Sequence, residues 1–444
     1  MAVAVGRRWE TLALGNLAEF RNGINYNKDN FGRGIKVINV KDFQDYSIAS
    51  FENLDEVNLS GVIKEKDLLR AGDIIFVRSN GNRELIGRSL FIKNIQESVT
   101  HSAFTIKLRF TSNQVIPRFY AYLFRSSLMR QTFSVYGNGT NISNLNQGIL
   151  SNLEVPLPPL PIQRKIAGIL SAYDDLIENN TRRIEILEEM ARSIYREWFV
   201  KFRFPGHEQV QMVDSELGLI PEGWEIKPVE ELLSYHIGGG WGEEEQSNQY
   251  PAVAYVIRGT DIPLARLVSV VNCPLRFHKQ SNFNSRKLEL GDIVFEVSGG
   301  SKGQPVGRAL LITQKLLKAF DSDVICASFC KLLRVNNKVI LPELLYLHLL
   351  DIYSNGRIDK YQVQSTGITN FKFAFFLESE QLLVPPPQWQ AKFNKIAISI
   401  FESIQTLGAK NANLRQTRDL LLPRLITGEI DVENLDINTG PIAA

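Results

Sequence analysis

The chain has 444 residues and a formal net charge of +2; 44% of its residues are hydrophobic and 22% are charged. This length favours two or three domains, and the composition supplies enough apolar side chains to bury cores, which excludes a disordered chain. Three cysteines exclude a disulfide scaffold, and the near-neutral charge excludes a protein coated with basic residues, although a local basic stripe could still bind nucleic acid. No apolar run is long enough to span a membrane and the N-terminus lacks a signal-peptide core, so we predict a cytoplasmic protein.

The chain contains two copies of one unit. Matching segments recur in a fixed order, and their offset drifts from 215 residues at the start of the repeat to 229 before it settles near 227 in the long helices. Such order over most of a chain indicates an internal duplication. The matches are Trp9-Glu10 with Trp224-Glu225, Gly23 with Gly238, 69–76 (LRAGDIIF) with 288–295 (LELGDIVF), 86–90 with 306–310, 116–119 with 341–344, 141–144 with 367–370, and 155–156 with 384–385.

The first part of each copy has a mixed pattern. In the first copy, strand-like runs occur at residues 35–40, 74–77, 90–92 and 104–108, with turn residues between them. A short helix is predicted after Pro117. The pattern predicts a compact α+β domain in each copy.

A long helix follows each domain. Prolines mark its start, at 156–161 in the first copy and 385–387 in the second, and no further proline occurs until Pro205 and Pro423. A helix of roughly 37 residues would be about 55 Å long, so we expect the two helices to pair as an antiparallel coiled coil. The alternative is two surface helices, each packed on its own domain. The predicted heptad a positions are Ile166, Tyr173, Asn180, Leu187 and Ile194, and Phe393, Ile400, Leu407, Leu414 and Leu421.

Position d of the first helix would hold Ile169, Leu176, Arg183 and Met190. Asn180, at an a position, would either fix the register of the pair or face water. The polar stretch 178–181 is expected to make few core contacts.

Motifs of common catalytic sites are missing from the sequence. It has no Walker-type phosphate loop, no Asn-Pro-Pro-Tyr motif of amino-methyltransferases, no His-Glu-x-x-His and no Cys-x-x-Cys. Cys326 and Cys330 match His101 and Thr105 in the first copy, so we interpret them as core residues on one face of a strand rather than as metal ligands. The sequence predicts no catalytic residue and no metal site.

Polar loops, in contrast, occur in both copies. One follows the strand at 74–77 or 293–296, and a second precedes the long helix. Their side chains are of the types that bind phosphates and base edges, although ordinary solvated turns would look similar. The candidate DNA contacts are Arg78, Ser79, Asn80, Asn82, Arg83, Arg88, Asn138, Thr140, Asn141 and Ser143 in the first copy, and Ser298, Ser301, Lys302, Gln304, Arg308, Thr366, Thr369 and Asn370 in the second.

Nearly the whole chain resembles the specificity (S) subunits of Type I restriction–modification systems. The most specific stretch is 157–192 (LPPLPIQRKIAGILSAYDDLIENNTRRIEILEEMAR), which continues through 195–199 (YREWF) and 202–206 (FRFPG). Residues 215–218 (SELG) and 220–225 (IPEGWE) resemble the entry into the family's second recognition domain. Residues 414–429 (LRQTRDLLLPRLITGE) resemble its distal helix.

The resemblance implies two target recognition domains, 9–157 and 223–385, a central helix at 158–204, a linker at 205–222, a distal helix at 386–430 and a tail at 431–444. Each domain would read half of a bipartite site in double-stranded DNA from the major groove. The helices would space the domains and dock methyltransferase (M) subunits, two in number, which restriction (R) subunits join.

The chain itself would be non-catalytic and bind no cofactor. S-adenosylmethionine, ATP and Mg would serve the partner subunits, in a complex that methylates adenine and cleaves DNA with ATP. The resemblance carries over no individual base contact. Two rival hypotheses remain: an enzyme fused to recognition domains, which needs a catalytic motif, and a pure assembly scaffold, which leaves the duplicated polar loops unexplained.

Overall fold

Two units divide the chain, and each combines one copy of the α+β domain with segments of both long helices. In a computed structural model, which describes residues 9–43, 47–58, 63–80, 82–136, 145–299, 305–365 and 367–437, the first unit is Met1–Leu176 with Leu414–Ala444. The second unit is Ile177–Asn413.

The first unit contains nine strands and four helices, the last of which continues into the second unit, among the described residues. The strands are β1 (Thr11–Ala13), β2 (Ala18–Asn22), β3 (Phe31–Ile38), β4 (Asp55–Val57), β5 (Ile74–Val77), β6 (Ser89–Phe91), β7 (Val99–His101), β8 (Thr105–Phe110) and β9 (Glu154–Pro156). The helices are α1 (Pro117–Arg125), α2 (Ser127–Tyr136), α3 (Gln147–Ser151) and α4 (Leu160–Tyr195).

The second unit repeats this plan with additions. Its strands are β10 (Met212–Ser215), β11 (Gly218–Pro221), β12 (Glu225–Pro228), β13 (Leu233–Gly238), β14 (Ala252–Ile257), β15 (Leu275–His278), β16 (Ile293–Glu296), β17 (Ser298–Gly299), β18 (Ala309–Leu311), β19 (Val324–Cys326), β20 (Cys330–Val335), β21 (Gln362–Ser365), β22 (Ile368–Phe371) and β23 (Gln381–Val384). Its helices are α5 (Ile262–Ala265), α6 (Gln280–Arg286), α7 (Gln314–Leu317), α8 (Pro342–Ser354), α9 (Phe373–Ser379) and α10 (Pro387–Ile426), which ends in the first unit.

The two units share one sheet topology. A four-stranded sheet has the order β2-β8-β5-β6 in the first unit and β13-β20-β16-β18 in the second. A three-stranded sheet has the order β4-β3-β7 and β15-β14-β19, with β3 parallel to β7 and β14 parallel to β19. The central strands β5 and β16 are buried along their whole length, which explains their unbroken apolar character. The predicted duplicated α+β fold is confirmed.

One match from the sequence is off by a residue. The backbone N–H of Gly23 donates to Thr105, and in the second unit it is Gly239, not Gly238, that donates to the equivalent Cys330. The cause is a β-bulge in β13 between Leu233 and Tyr235, which adds one residue to that strand.

The two cysteines lie on different strands. Cys326 ends β19 and Cys330 begins β20, so the expectation of one shared strand is wrong because a turn separates them. Both are buried, as a core interpretation requires, and burial raises the pKa of the Cys326 thiol to about 12. In the first unit His101 ends β7 and Thr105 begins β8, and His101 Nδ1 lies 2.8 Å from Thr105 Oγ1.

Within the second unit the long helices pair in antiparallel fashion. Asn180 Nδ2 donates to Asn411 Oδ1 at 2.9 Å. Farther along the chain, Trp198, in the π-helical turn Arg196–Val200 after α4, packs on Phe393, with ring centroids 5.6 Å apart. From Asn180 to Trp198 the partners in α10 move back from Asn411 to Phe393, so the two helices run in opposite directions.

Asn180 is therefore part of the interface rather than facing water. It is buried, and Asn411 also donates to Thr181 Oγ1 at 3.2 Å. The expectation that residues 178–181 make few core contacts is wrong, because the asparagine pair satisfies its polar groups inside the seam.

The predicted a positions follow the seam, whereas the predicted d positions do not. Leu176 and Met190 are exposed, because the second row of buried residues lies four residues after each a position instead of three. Of the a positions, Ile166, Asn180, Phe393, Ile400 and Leu407 are buried, and Tyr173, Leu187, Ile194, Leu414 and Leu421 are half-buried. The second row includes Leu170, Ile184, Ala191, Ala397, Ile404 and Asn411.

Helix α10 contains a proline close to its C-terminal end. Pro423 lies inside the helix, which continues to Ile426. A proline removes one backbone donor. Burial of Leu425 and Ile426 in the core of the first unit supplies compensating apolar contacts.

The predicted linker and tail contain ordered structure. Residues 205–222 include the hairpin formed by β10 and β11. In the tail, Val432 is buried in the core of the first unit. Residues 205–222 and the described part of the tail, 431–437, therefore belong to the folded units.

A buried glutamine joins each long helix to its domain. Gln390 Oε1 accepts a hydrogen bond from the backbone N–H of Leu341, the residue before the first turn of α8, at 2.9 Å. Its amide donates to the carbonyls of Val339 and Pro385. Gln163 makes the same three bonds in the first unit, to Ile116, Gln114 and Pro158.

Replacing Gln390 by alanine is expected to lower the free energy of unfolding by about 2–3 kcal/mol, because the buried side chain is lost and three backbone groups, which are buried or half-buried, lose their partner. Thermal or urea unfolding measures it. Gln388→Ala is the matched control, since Gln388 is exposed in the same helix and should change stability by less than about 0.5 kcal/mol. Equal stability of the two variants would contradict the assignment.

Candidate nucleic-acid interface

The start of the first predicted loop lies beside the residue that follows the second. The first loop begins at Arg78, after β5, and the backbone N–H of Leu145, the first described residue after the second loop, donates to the carbonyl of Arg78 at 2.9 Å. Arg78 and Leu145 therefore lie together at the end of the central strand.

Side chains of the first loop shape its own backbone. Asn80 Oδ1 accepts from the N–H of Asn82 at 2.8 Å, and Asn82 Oδ1 accepts from the N–H of Glu84 at 3.0 Å. Arg130 of α2 fixes the far end of the loop by donating to the carbonyl of Ile86 at 3.1 Å. Arg78, Ser79 and Asn80 are half-buried and Asn82 is exposed, so the loop offers a polar surface on a defined backbone.

In the second unit the equivalent loops form a small sheet. Strand β17 pairs with β22, with Ser298 opposite Asn370 and Gly299 opposite Thr369, and β22 pairs with β21. Ser298 Oγ also donates to Asn370 Oδ1 at 2.9 Å. Three of the predicted DNA contacts, Ser298, Thr369 and Asn370, are thus brought together.

Arg308 is held by a buried carboxylate. Its Nε donates to Glu296 Oε2 at 2.8 Å and a second nitrogen contacts Oε1, and this hydrogen bonding raises the pKa of the arginine. Val77 occupies the position of Glu296 in the first unit, so this ion pair is not repeated there. The Arg308 guanidinium therefore has a structural partner, and its contact with DNA stays a prediction.

Comparison with known proteins agrees with this architecture. A family model described as the Type I restriction modification DNA specificity domain matches residues 6–189. The Type I restriction enzyme MjaIX specificity subunit of Methanocaldococcus jannaschii is 27% identical over 72% of this chain and 71% of its own length. The HindI specificity subunit of Haemophilus influenzae is 23% identical over 95% of this chain and 99% of its own. Over most of its length the chain is therefore similar to Type I restriction–modification specificity subunits.

A solved S subunit shares the fold of this chain. The crystal structure of the Type-I restriction-modification system S subunit from M. genitalium aligns with a TM-score of 0.53 at 15% identity, covering 94% of this chain and 96% of that one. Among the residues that the structure describes, no helix is long and apolar enough to cross a membrane.

Several predicted contacts lie outside the described residues. They are Asn138, Thr140, Asn141 and Ser143 in the first unit, Ser301, Lys302, Gln304 and Thr366 in the second, and the side chain of Arg83. Arg88 is half-buried at the end of the first loop. All of these stay predictions.

Two residues that position the loops were missed from the sequence. Arg130 lies in a helix that gave no sign of facing a loop. Glu296 had a usable signal, because a carboxylate at the end of a buried apolar strand requires a cationic partner, and Arg308 follows on the neighbouring strand segment.

Proposed function

We propose that this chain is the specificity (S) subunit of a Type I restriction–modification system and that it reads a bipartite site in double-stranded DNA, one half with each unit. The observation that carries the proposal is the duplicated pair of polar loops at the end of β5 and of β16. Two readers with the same scaffold and different side chains suit a site with two different halves.

The chemistry of the loops supports contacts with bases and phosphates. Arg78 is a candidate for bidentate pairing with guanine, and asparagine amides such as that of Asn82 suit adenine. The hydroxyls of Ser79 and Ser298, with nearby backbone N–H groups, suit phosphate oxygens. Hydrogen bonding within each loop limits the entropy lost on binding.

The long helices of the S subunit are proposed to dock the methyltransferase subunits. Several apolar side chains outside the seam are exposed, which favours a binding surface for another protein. In the second unit they are Ile186, Met190, Ile396 and Ile398, and in the first unit they are Leu176 and Leu420.

Catalysis is assigned to the partners. S-adenosylmethionine would be used by the M subunits, and ATP and Mg by the R subunits, while this chain supplies recognition. The rival scaffold hypothesis provides docking surfaces but gives the loops no role.

Reconstitution tests the proposal. The purified chain alone is expected to transfer no methyl group from labelled S-adenosylmethionine to DNA, and the chain with its M subunits is expected to methylate one bipartite site. Mapping of methylated adenines identifies that site. Methyl transfer by the chain alone, or site-independent methylation by the complex, would refute the division of roles.

The variant Arg78→Ala tests which half the first unit reads. Loss of a bidentate base contact costs about 1–3 kcal/mol, so methylation of the mapped site should slow about tenfold or more, and specificity should relax in one half only. Relaxation of both halves would count against two independent readers.

A further inference from the structure

A phenylalanine is exposed at the same place in each unit. Phe104 is 61% exposed and Phe329 is 58% exposed. Phe104 lies in the turn between β7 and β8, and Phe329 lies in the equivalent turn between β19 and β20. We call these turns, residues 101–105 and 326–330, the aromatic turns.

Phenylalanine is the identical residue of the two aromatic turns. The sequences are HSAFT and CASFC, and the four positions other than phenylalanine all differ. The differing positions are mostly buried and vary as core residues do. The exposed ring adds little to the core, so folding alone gives no reason for the identity.

Each aromatic turn is bonded to the start of a polar loop. The carbonyl of Phe104 accepts from the backbone N–H of Arg78 at 2.8 Å. The carbonyl of Phe329 accepts from the N–H of Val297 at 2.9 Å and of Ser298 at 3.2 Å. The exposed phenylalanine therefore belongs to a turn that adjoins the first candidate DNA contacts of its unit.

The backbone of each aromatic turn is held tightly from behind. A Cβ added to Gly23 would lie 2.2 Å from the carbonyl oxygen of Ser102, and one added to Gly239 would lie 2.1 Å from that of Ala327. These glycines permit the close approach of a neighbouring strand. The ring is thus presented on a rigid support, which lowers the entropic cost of binding through it.

We propose that Phe104 and Phe329 are the apolar base contacts of the two half-sites, each packing on the methyl group of a thymine beside the hydrogen-bonding loop. The inference rests on the proposed function and extends it from polar to apolar readout. Thymine is the base whose methyl group a duplex exposes in the major groove, and aromatic side chains are known to contact it.

The variants Phe104→Ala and Phe329→Ala test the inference in the complex of the full chain with its M subunits. The probe is a labelled duplex carrying the methylated site mapped for the wild type. Burying a phenylalanine side chain gains enough free energy that each variant should bind about 10- to 100-fold more weakly. The slope of affinity against salt concentration should not change, because no phosphate contact is removed.

Two exposed apolar residues serve as matched controls. Phe31 is 51% exposed at the start of β3, and its ring packs on that of Tyr26 with centroids 5.7 Å apart, so it already has an aromatic partner within its unit. Leu290 is 62% exposed and precedes β16, at the opposite end of that strand from Val297. Phe31→Ala and Leu290→Ala should bind as the wild type does.

Uracil scanning identifies the contact. Replacing one thymine by uracil removes only the methyl group, and we expect one position per half-site to weaken wild-type binding. The same uracil substitution should not change the affinity of the matching phenylalanine variant for the duplex. Phe104→Leu should retain part of the affinity.

Three results would overturn the inference. They are wild-type affinity of both alanine variants, a loss of affinity with a shallower salt slope, and a loss that no uracil substitution reproduces. Absence of site-specific binding by the wild-type complex would instead refute the proposed function, which keeps the two failures apart. Unchanged melting temperatures would show that the variants are folded.

Discussion

Adding one heptad to both long helices is expected to widen the unspecified gap of the DNA site by about three base pairs. Seven residues add about 10 Å of helix, and B-DNA rises about 3.4 Å per base pair. Insertions after Leu176 in α4 and after Leu414 in α10 keep two interhelical bonds. These are Asn180 with Asn411 and, within the first unit, Arg418 Nη1 with Asp174 Oδ1 at 2.6 Å. A heptad is two turns, so the phase of the buried rows is nearly preserved.

Mapping of methylated sites in cells that carry the double insertion measures the gap. The half-site sequences should stay as they are. A heptad in α4 alone is the matched control, since it takes the seam out of register and should abolish methylation. A double insertion that methylates sites with the original gap would show that helix length does not set the spacing.

Replacing Glu380 by glutamine is expected to cost about 3 kcal/mol of unfolding free energy at neutral pH. The carboxylate is fully buried after α9 and accepts from His348 Nε2 at 3.0 Å, Arg357 at 2.6 Å and the Tyr361 hydroxyl at 2.6 Å. Burial alone would raise its pKa, but hydrogen bonds and charge from these partners lower the pKa to about 2. Removing a buried, fully paired charge is strongly destabilising.

The pH dependence has a definite sign. An unfolded glutamate has a pKa of about 4.3, so the folded state holds Glu380 ionised more strongly. Its contribution is complete above about pH 5 and is lost as the pH falls towards 2, where the protonated form also becomes common in the folded state. The stability difference between wild type and Glu380→Gln should shrink over that range.

Urea unfolding between pH 3 and pH 7 measures this difference. Glu378→Gln is the matched control, because Glu378 is exposed on the same helix. A difference from wild type that is independent of pH would contradict the role given to the carboxylate of Glu380.

Local apolar pattern was sufficient to predict much of the fold. The limits of β5, Ile74–Val77, follow from four consecutive buried apolar residues, and the common phase of the two long helices follows from their repeat. The second buried row could not be found in this way, because apolar Leu176 and Met190 are exposed while polar Asn180 and Asn411 are buried. Hydrogen bonding across the seam, which no single helix displays, decides these positions.

The candidate site was predictable in residue type but not in assembly. Ser298 and Asn370 are 72 residues apart, and their hydrogen bond depends on the pairing of β17 with β22. The anchoring role of Gln163 and Gln390 was likewise hidden, because a glutamine beside a proline-rich helix start is common and its burial is a tertiary property.

The interleaved composition of the first unit has a consequence for synthesis on the ribosome. Ile166 and Leu170 belong to a core that also needs Leu425 and Ile426, and Lys165 Nζ donates to the carbonyl of Glu433, 268 residues later. At about 5–20 residues per second, the partners emerge tens of seconds apart. The second unit, Ile177–Asn413, can finish folding earlier, while the first unit keeps an apolar surface exposed until translation is nearly finished. The first unit of the nascent chain therefore needs protection during synthesis, and any product that ends before Leu414 leaves its apolar surface exposed.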